Sequence, residues 1–261
     1  MGLALDTILG EVTNQTSLTA VTLASGDSLS VRSFDDPADA RLLACFVQGA
    51  TLPQLRITSP RFHDNVTGLT FQSTEVQSEF TLPPEVGQPL YSVDTLVASL
   101  TSGAANSSIA ALSVFYKNLK GISADLRTWD DIKSQIINLK AMEVAVTNSA
   151  TIGAWTDTVI TTTENQLKAD YAYALLGFEE SAALACVGLK GPATGNLRIC
   201  APGAGSTVNL TDYFILMGQK HGIPMIPVFK ANDRANTYIS TAASTASATS
   251  NVYAILAQLP K

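Results

Sequence analysis

The chain has 261 residues, a length that suits one large β domain or two domains of roughly 100–150 residues each. Hydrophobic residues make up 46% of the chain and charged residues only 15%, so we expect a substantial core and a surface with few charges. The net charge is −6 and Lys and Arg form no cluster, which excludes a dedicated basic face for nucleic acid.

The N-terminal segment MGLALDTILGEVTNQ (1–15) has no basic stretch and no long apolar stretch, so we do not expect a secretory signal peptide. The segment is mildly amphipathic, which leaves open a helix that contacts a membrane or a neighbouring subunit. No run of about 18 apolar residues occurs, so no membrane-spanning helix is expected.

Short alternations of apolar and polar residues, separated by turn residues, fill the first half of the chain. A strand–turn–strand pattern lies at 17–34 around Ser-Gly-Asp, and further strand patterns follow at 42–60, 68–84, 89–100 and 108–119. Roughly seven or eight short strands with a turn every 8–12 residues favour a β-sandwich or jelly roll.

The strongest helix pattern is TWDDIKSQIINLKAM (128–142). Thr128 is a suitable N-cap, and two aspartates fall in the first turn, where the helix dipole favours anions. We therefore predict a linker helix over 128–142, between a first domain at 1–127 and a second at 143–261. A second short helix is predicted over 163–173.

The second half repeats the scheme of the first. Strand patterns occur at 172–191, 223–230, 236–244 and 251–259, whereas TDYFILMGQKHG (211–222) fits either a strand or a helix. The fold class that we predict is all-β, with two tandem antiparallel β-sandwich (jelly-roll) domains and short linker helices.

Similar segments recur along the chain in the same order, with an offset of about 142 residues in the clearest pair, which indicates a duplicated domain. That pair is QLRITSP (54–60) and NLRICAP (196–202), and it predicts that Arg56 and Arg198 occupy equivalent places with a paired or interface role. The other matched segments are 19–26 with 144–151, 38–46 with 170–178, 94–97 with 236–239, 111–119 with 251–259, and Phe71 with Tyr213.

The three cysteines, Cys45, Cys186 and Cys200, include no Cys-x-x-Cys pair. We expect buried thiols in a reducing compartment. Pairing of Cys186 with Cys200 stays open, because spacing alone cannot show whether their strands are neighbours.

Neither histidine lies in a recognisable catalytic pattern. His63 and Asp64 are neighbours in PRFHDNVTG, His221 lies in QKHGIP, and the chain has no Gly-x-Ser-x-Gly, so we interpret both histidines as turn residues. A calcium site built from residues 63–65 with Asp36 or Asp39 is an alternative that carboxylate and amide oxygens would suit.

Carboxylates are available for glycoside hydrolysis, which needs two of them across a cleft. The candidates are Glu75, Glu79, Glu85, Glu179 and Glu180. Nothing in the sequence specifies a pair, and Trp129 and Trp155 are too scattered for a sugar-binding platform. We assign no catalytic, cofactor-binding or metal-binding residue, and we predict that the protein is not an enzyme and needs no cofactor.

Two tandem β-sandwiches in 261 residues, few charges and no enzyme motif together resemble the double jelly-roll major capsid proteins of icosahedral viruses and bacteriophages with an internal membrane. In that family two eight-stranded jelly rolls stand side by side, and three subunits form a pseudo-hexagonal trimer that tiles the shell. The family has no diagnostic residue motif, so the resemblance covers the whole chain as architecture and transfers no site residue.

The resemblance implies a structural coat protein that contacts itself as a homotrimer, neighbouring trimers, other virion proteins and an internal membrane. Its location would be the virion capsid, after assembly in the host cytoplasm, without direct nucleic-acid binding. The alternatives are another virion spike or minor coat protein and a carbohydrate-binding or carbohydrate-active tandem β-sandwich protein. A capsid fold with a long spine helix is disfavoured, because 128–142 is too short for one.

Overall fold

Antiparallel sheets make up most of the computed structural model, which confirms the all-β prediction. The structure describes residues 2–23, 31–32, 34, 40–59, 68–75, 77–83, 88–92, 95–160, 167–180, 184–203 and 210–261.

The regular elements described in the first half are strands. They are β1 (Ala4–Thr13), β2 (Thr19–Ala20), β3 (Thr22–Leu23), β4 (Ala40–Gly49), β5 (Gln54–Thr58), β6 (Leu69–Gln72), β7 (Gln77–Thr81), β8 (Gln88–Pro89), β9 (Val97–Leu100) and β10 (Ser107–Tyr116). Their larger sheet has the order β3-β1-β10-β4-β7, with β8 continuing β7 along β4, and their smaller sheet has the order β2-β9-β5-β6.

The second half adds two helices to its strands. The elements are β11 (Leu126–Arg127), α1 (Trp129–Ile132), β12 (Asn138–Thr147), β13 (Trp155–Val159), β14 (Tyr171–Glu180), β15 (Leu184–Lys190), β16 (Ile199–Pro202), α2 (Tyr213–His221), β17 (Ile226–Lys230), β18 (Tyr238–Ala243) and β19 (Thr249–Pro260). Short 3-10 turns cover Lys133–Gln135, Pro192–Thr194 and Ala231–Asn236. The larger sheet has the order β11-β17-β14-β19-β12 and the smaller sheet β13-β18-β15-β16.

The strand order of the first half recurs in the second. In both larger sheets the first long strand pairs with the last over ten residues: β1 with β10 from Ala4 opposite Tyr116, and β12 with β19 from Asn138 opposite Gln258. The smaller sheets also correspond strand for strand. The smaller sheets β2-β9-β5-β6 and β13-β18-β15-β16 take their strands from the same places in each series, so the halves share the connectivity of these strands. Among the described strands, β3 of the first half and β11 of the second have no counterpart.

A β-bulge lies at the same place in both halves. The pairing of β4 with β10 skips Leu43, and the pairing of β14 with β19 skips Leu176. Each skipped residue is the second of a Leu-Leu pair. Bulges are retained features of a fold. The matching bulges therefore fix which residue of β4 corresponds to which residue of β14.

The sequence alignment of the halves is right in three places and wrong in others. Residues 38–46 and 170–178 fall on β4 and β14, and the segments near 94–97 and 111–119 also meet equivalent strands. The clearest pair, 54–60 with 196–202, is wrong: Arg56 lies in β5, whereas Arg198 precedes β16, whose counterpart is β6. Arg56 and Arg198 are therefore not equivalent, because a heptad of strand-forming residues does not distinguish one strand from the next.

Two further matches between the halves, and the helix considered for the N-terminal segment, are also wrong. Residues 19–26 reach β2 and β3, whereas 144–151 begin inside β12, and Phe71 lies in a strand whereas Tyr213 lies in a helix. The N-terminal segment forms β1 rather than a helix. Strand β1 pairs with β10 on one side and β3 on the other, so the segment is buried within a sheet.

The predicted linker helix over 128–142 is wrong in its extent. Its start is correct, because Thr128 accepts a hydrogen bond from the Asp131 amide and the Asp131 side chain accepts one in return. The helix ends at Ile132, and from Asn138 the chain is strand β12. Ten residues of pairing with β19 outweigh the local helix preference.

The boundaries at 1–127 and 143–261 stay a prediction, although β11 (Leu126–Arg127) pairs with β17 in the sheet of the second half. Of the helix predicted over 163–173, residues 163–166 lie outside the described residues. The prediction is wrong for the rest, because 167–170 form a bend and a turn and Tyr171 begins β14. The ambiguous segment 211–222 forms helix α2.

Two hydrophobic cores explain why some strands are buried on both faces. One fills the space between the two sheets of the first half, with Ile8, Leu42 and Leu112 among its residues. The other joins the second half to the opposite face of the first half's larger sheet, through Leu9 and Phe46. That larger sheet is thus covered on both faces and fastens the halves together.

Candidate functional site

The strand β7 presents a row of three polar side chains to the second half. Gln77, Glu79 and Thr81 alternate along the strand and therefore point to one face. Gln77 is 2% exposed, and its Nε2 donates a hydrogen bond of 2.9 Å to the Ala185 carbonyl oxygen in β15. We call these three residues the β7 row; it forms one polar part of the junction between the halves.

Helix α2 contacts the other two members of the β7 row. The Tyr213 hydroxyl donates to Glu79 Oε1 at 2.7 Å, and the Lys220 ammonium donates to the Thr81 hydroxyl. The Tyr213 ring also packs edge-on against Phe46 of β4, with 6.4 Å between ring centroids. One nine-residue helix thus reaches two strands of the other half.

Burial sets the charge state of this junction. It raises the pKa of Glu79 above its ordinary value, while the Tyr213 hydrogen bond and the Lys220 charge act in the opposite direction. Burial also raises the pKa of Tyr213 far above its ordinary value, and the nearby Glu79 adds to this. Tyr213 therefore stays protonated and donates to the Glu79 carboxyl.

A second polar cluster lies on the smaller sheet of the second half. Asp157 in β13 accepts from Lys190 at 2.6 Å and from Ser240 at 2.7 Å, and it pairs with Arg198 at 3.3 Å. Burial disfavours the ionised form of Asp157, but these partners outweigh it and lower its pKa. The Arg198 guanidinium lies 4.9 Å from the centre of the Trp155 ring, so this tryptophan face is occupied.

The outer face of the second half's larger sheet is exposed at β12. Leu139 is 59% exposed and the preceding Ile137 is 55% exposed. The strand lies at the edge of its sheet, and no other described strand pairs with its outer side. Long apolar edge strands are templates for association. We call β12 with the adjoining face of β19 the open face.

The equivalent surface of the first half is covered. The matching register of β1 and β12 makes Leu5 the counterpart of Leu139. Leu5 is 1% exposed, because the second half packs over it. In the first half, the surface that corresponds to the open face is therefore the one that joins the two halves.

The cysteines are free and buried, as expected. Cys186 lies opposite Pro202 and Cys200 opposite Gly188, so the two thiols are diagonal neighbours on adjacent strands rather than a disulfide. A Cβ added at Gly188 would meet the Cys200 sulfur at 2.4 Å. The glycine therefore makes room for this side chain.

The carboxylates proposed for glycoside hydrolysis are dispersed among different elements. Glu75 is exposed before β7, Glu79 belongs to the β7 row, and Glu85 lies outside the described residues. Glu179 and Glu180 are neighbours at the end of β14 and point to opposite faces. Burial raises the pKa of Glu180 to about 9, so this group is neutral at neutral pH.

The histidine predictions have two outcomes. His63, Asp64, Asn65, Asp36 and Asp39 lie outside the described residues, so the calcium alternative stays a prediction.

The interpretation of His221 as a turn residue is wrong: it ends α2 and is 1% exposed, and burial followed by the Lys220 charge lowers its pKa to about 4. Within the described ranges no three His, Cys, Asp or Glu side chains form a metal-binding group, and no helix has the length and apolar character to span a membrane.

The contact between the β7 row and helix α2 was not predicted from the sequence, which left 211–222 open as a strand or a helix. The alternation QSEFT predicts a strand with a polar face, but such a face normally points to solvent. Only the contacts of Gln77 with Ala185 and of Glu79 with Tyr213 of α2 show that this polar face packs against the second half.

No family model matches the chain, and no curated protein matches it. Among solved structures, the PBSX exported protein XepA aligns at 10% identity over 94% of this chain and 86% of that chain, with a TM-score of 0.24. Recombinant N-glycanase F (PNGase F) aligns at 8% identity over 100% and 96%, with a TM-score of 0.21.

The N-terminal CBM22-1-CBM22-2 tandem domain from Paenibacillus barcinonensis Xyn10C aligns at 13% identity over 100% of this chain and 94% of that chain, with a TM-score of 0.22. All three TM-scores are too low to support an argument about the function of this chain.

Proposed function

We propose that the chain is a structural coat protein of an icosahedral virus or bacteriophage and assembles as trimers. The observation that carries the proposal is the repeated strand order with a bulge at the same place in each half. Sheets ordered β1-β10-β4-β7 and β2-β9-β5-β6 correspond to the connectivity of a jelly roll, a fold of viral capsid proteins. Two such units in one chain would make the double jelly roll of the proposed family.

The contact inside the molecule suggests how copies would join. The outer face of the first half's larger sheet packs against the second half, near β15 and β16. The open face at β12 is the equivalent surface of the second half, and it is uncovered. The smaller sheet of the first half is uncovered in turn, with Thr70 and Gln72 exposed.

A second copy that repeats the internal contact would join these two uncovered surfaces head to tail. Such heterologous contacts close into a ring when the rotation between neighbours permits it. Three chains would place six sandwiches in the ring, which is the pseudo-hexagonal outline of the proposed family. The few charges of the chain, 15% of its residues, suit a subunit that buries much of its surface.

The proposal includes a non-enzymatic role, a location in the capsid after assembly in the host cytoplasm, and contacts with neighbouring trimers. Other virion proteins and an internal membrane are the further partners that the family would supply. The net charge of −6 supports a shell that does not itself bind the genome. A sugar-binding role gains no support from Trp155, whose ring face is occupied by Arg198.

Light scattering after gel filtration tests the proposal. Three chains of 27.5 kDa give about 82.5 kDa, and we expect this mass or shell-like particles. Leu139→Glu should reduce the mass to that of the monomer and leave the fold intact, because Leu139 is 59% exposed.

Leu216→Glu is the matched control, since Leu216 is 44% exposed on α2, away from the open face. A wild-type protein that stays monomeric at high concentration would refute the coat role, and a small oligomer that never forms shells would favour a spike or minor coat protein.

A further inference from the structure

Two glutamates and a tyrosine form a row across the outer face of the second half's larger sheet. Glu143 of β12 lies opposite Tyr253 of β19, and Tyr253 lies opposite Glu179 of β14. Residues opposite each other on neighbouring strands point to the same side of a sheet. Both glutamates are exposed, and Tyr253 is half-buried. Neighbouring strands lie about 4.8 Å apart, so the backbones of the two glutamates are about 10 Å apart, with the tyrosine between them. We call these three residues the acidic row.

The equivalent row of the first half is apolar where the acidic row is charged. Leu9 lies opposite Ala111, and Ala111 lies opposite Phe46. The matching registers make Leu9 the counterpart of Glu143. The matching bulges make Phe46 the counterpart of Glu179. Leu9 and Phe46 are 0% and 2% exposed, because the second half covers them. The acidic row therefore places two carboxyl groups where the internal junction has buried apolar side chains.

The covered row also shows how the internal junction accommodates a carboxyl group. Its next member is Glu79 of β7, which lies opposite Phe46. The covering half supplies a polar partner for this group, the Tyr213 hydroxyl, at 2.7 Å. A carboxylate that is covered without a partner is costly. A surface that covers the acidic row must therefore bring a hydrogen-bond donor, and two ionised carboxylates favour a cationic one.

The smaller sheet of the first half carries such a cation. Its strands β5 and β6 correspond to β15 and β16, which pack beside β4 and β1 at the internal junction. Arg56 of β5 is the single charged residue of the four strands in this sheet. Arg56 alternates with the core residues Leu55 and Ile57 and therefore points to the outer face. The residues opposite it, Thr70 of β6 and Ser99 of β9, have short side chains, so the guanidinium group can reach farthest from the sheet.

We propose that the acidic row is the docking site for Arg56 of a second copy of the chain. The guanidinium group of one copy lies over the Tyr253 ring of the next and pairs with the glutamates on either side. A guanidinium binds carboxylates with two parallel hydrogen bonds, and it is attracted to the face of an aromatic ring. The proposal rests on the coat role, since it names the residues that hold neighbouring copies together in that assembly.

Light scattering after gel filtration, over a series of protein concentrations, measures the association between copies. Arg56→Glu should weaken each contact about thirtyfold or more, because it replaces a central arginine by a repelled charge, and should shift the protein to the monomer. The wild-type association should weaken between about 0.1 M and about 1 M NaCl, where the Debye length falls from about 10 Å to about 3 Å.

Charge reversal on both surfaces tests the pairing itself. Glu143→Arg with Glu179→Arg should also give a monomer, and adding Arg56→Glu to this pair of changes should restore the trimer. Both glutamates are changed together, because either one alone can hold the guanidinium group. They are exposed, so we expect the fold to survive, which thermal melting followed by circular dichroism checks.

Arg234→Glu is the matched control. It makes the same change of net charge as Arg56→Glu, and Arg234 is exposed in the 3-10 turn Ala231–Asn236, outside both surfaces. We expect this variant to remain a trimer. A trimer that persists in Arg56→Glu, or a triple variant no more associated than Arg56→Glu, would overturn the docking site and leave the coat role standing. A wild-type chain that stays monomeric would overturn both.

Discussion

The first long strand of each half occupies the same place in its sheet, yet the two strands have opposite surroundings. Strand β1, ALDTILGEVT, is buried on both faces, whereas β12, NLKAMEVAVT, alternates between exposed and buried residues. Both pair with the last strand of their half in the same register. The comparison teaches that pairing sets the place of a strand, and that coverage of its outer face decides which residues it tolerates.

The largest effect should come from giving β1 a residue that β12 carries. Leu9 is the counterpart of Glu143, and Leu9 is 0% exposed in the core that joins the halves. We expect Leu9→Glu to lower the free energy of unfolding by about 5 kcal/mol or more, because an unpaired carboxylate would be buried. Urea denaturation followed by circular dichroism measures the loss.

The reciprocal change, Glu143→Leu, should alter the unfolding free energy by less than about 0.5 kcal/mol, because position 143 is exposed. It should instead increase self-association by enlarging the open face. A loss below about 2 kcal/mol in Leu9→Glu would show that the second half does not cover β1 as described.

A smaller effect is expected at the bulged strands. Ala44 in β4 corresponds to Gly177 in β14. A Cβ at Gly177 would lie 1.9 Å from the Leu210 carbonyl oxygen, which accepts from Phe178. Gly177→Ala should therefore cost about 2–3 kcal/mol and should displace the start of α2.

Hydrogen exchange of the Phe178 amide would register that displacement. Ala44→Gly, the converse change in the first half, should cost only about 1 kcal/mol, since it removes one methyl group from a strand. Equal costs at the two positions would mean that the close approach of Leu210 is not what requires glycine.

A further effect is a pH dependence of stability rather than a single change in the free energy of unfolding. Glu180 is the counterpart of the core residue Val47, and its pKa is raised by burial to about 9. The folded chain keeps this proton from pH 4.5 to about pH 9 whereas the unfolded chain does not, so stability falls across that window as pH rises.

Glu180→Gln should remove a slope of up to about 1.4 kcal/mol per pH unit and raise the melting temperature at pH 9 more than at pH 5. Glu179→Gln, an exposed neighbour on the same strand, is the control. Calorimetric melting curves at both pH values make the comparison. An equal shift at pH 5 and pH 9 would assign the gain to packing rather than to the proton.

Much of the fold could be predicted from local patterns. Alternation and turn residues predict the all-β class, and Thr128 with Asp131 predicts the start of α1. The segments on β4 and β14, and those on β10 and β19, could be matched because long strands keep a distinctive order of residues. Short strands such as β5, β6 and β16 lack that information, and this is why Arg56 was matched with Arg198.

The sequence by itself determined the strand composition, the repeated series and the burial of the cysteines, because alternation and apolar content act over neighbouring residues. The tertiary structure alone decided that Leu5 is buried while Leu139 is exposed, and that the β7 row faces α2. These outcomes depend on which sheet faces which across more than a hundred residues of chain, as between Glu79 and Tyr213, 134 residues apart. No local period of apolar and polar residues records such a distant partner.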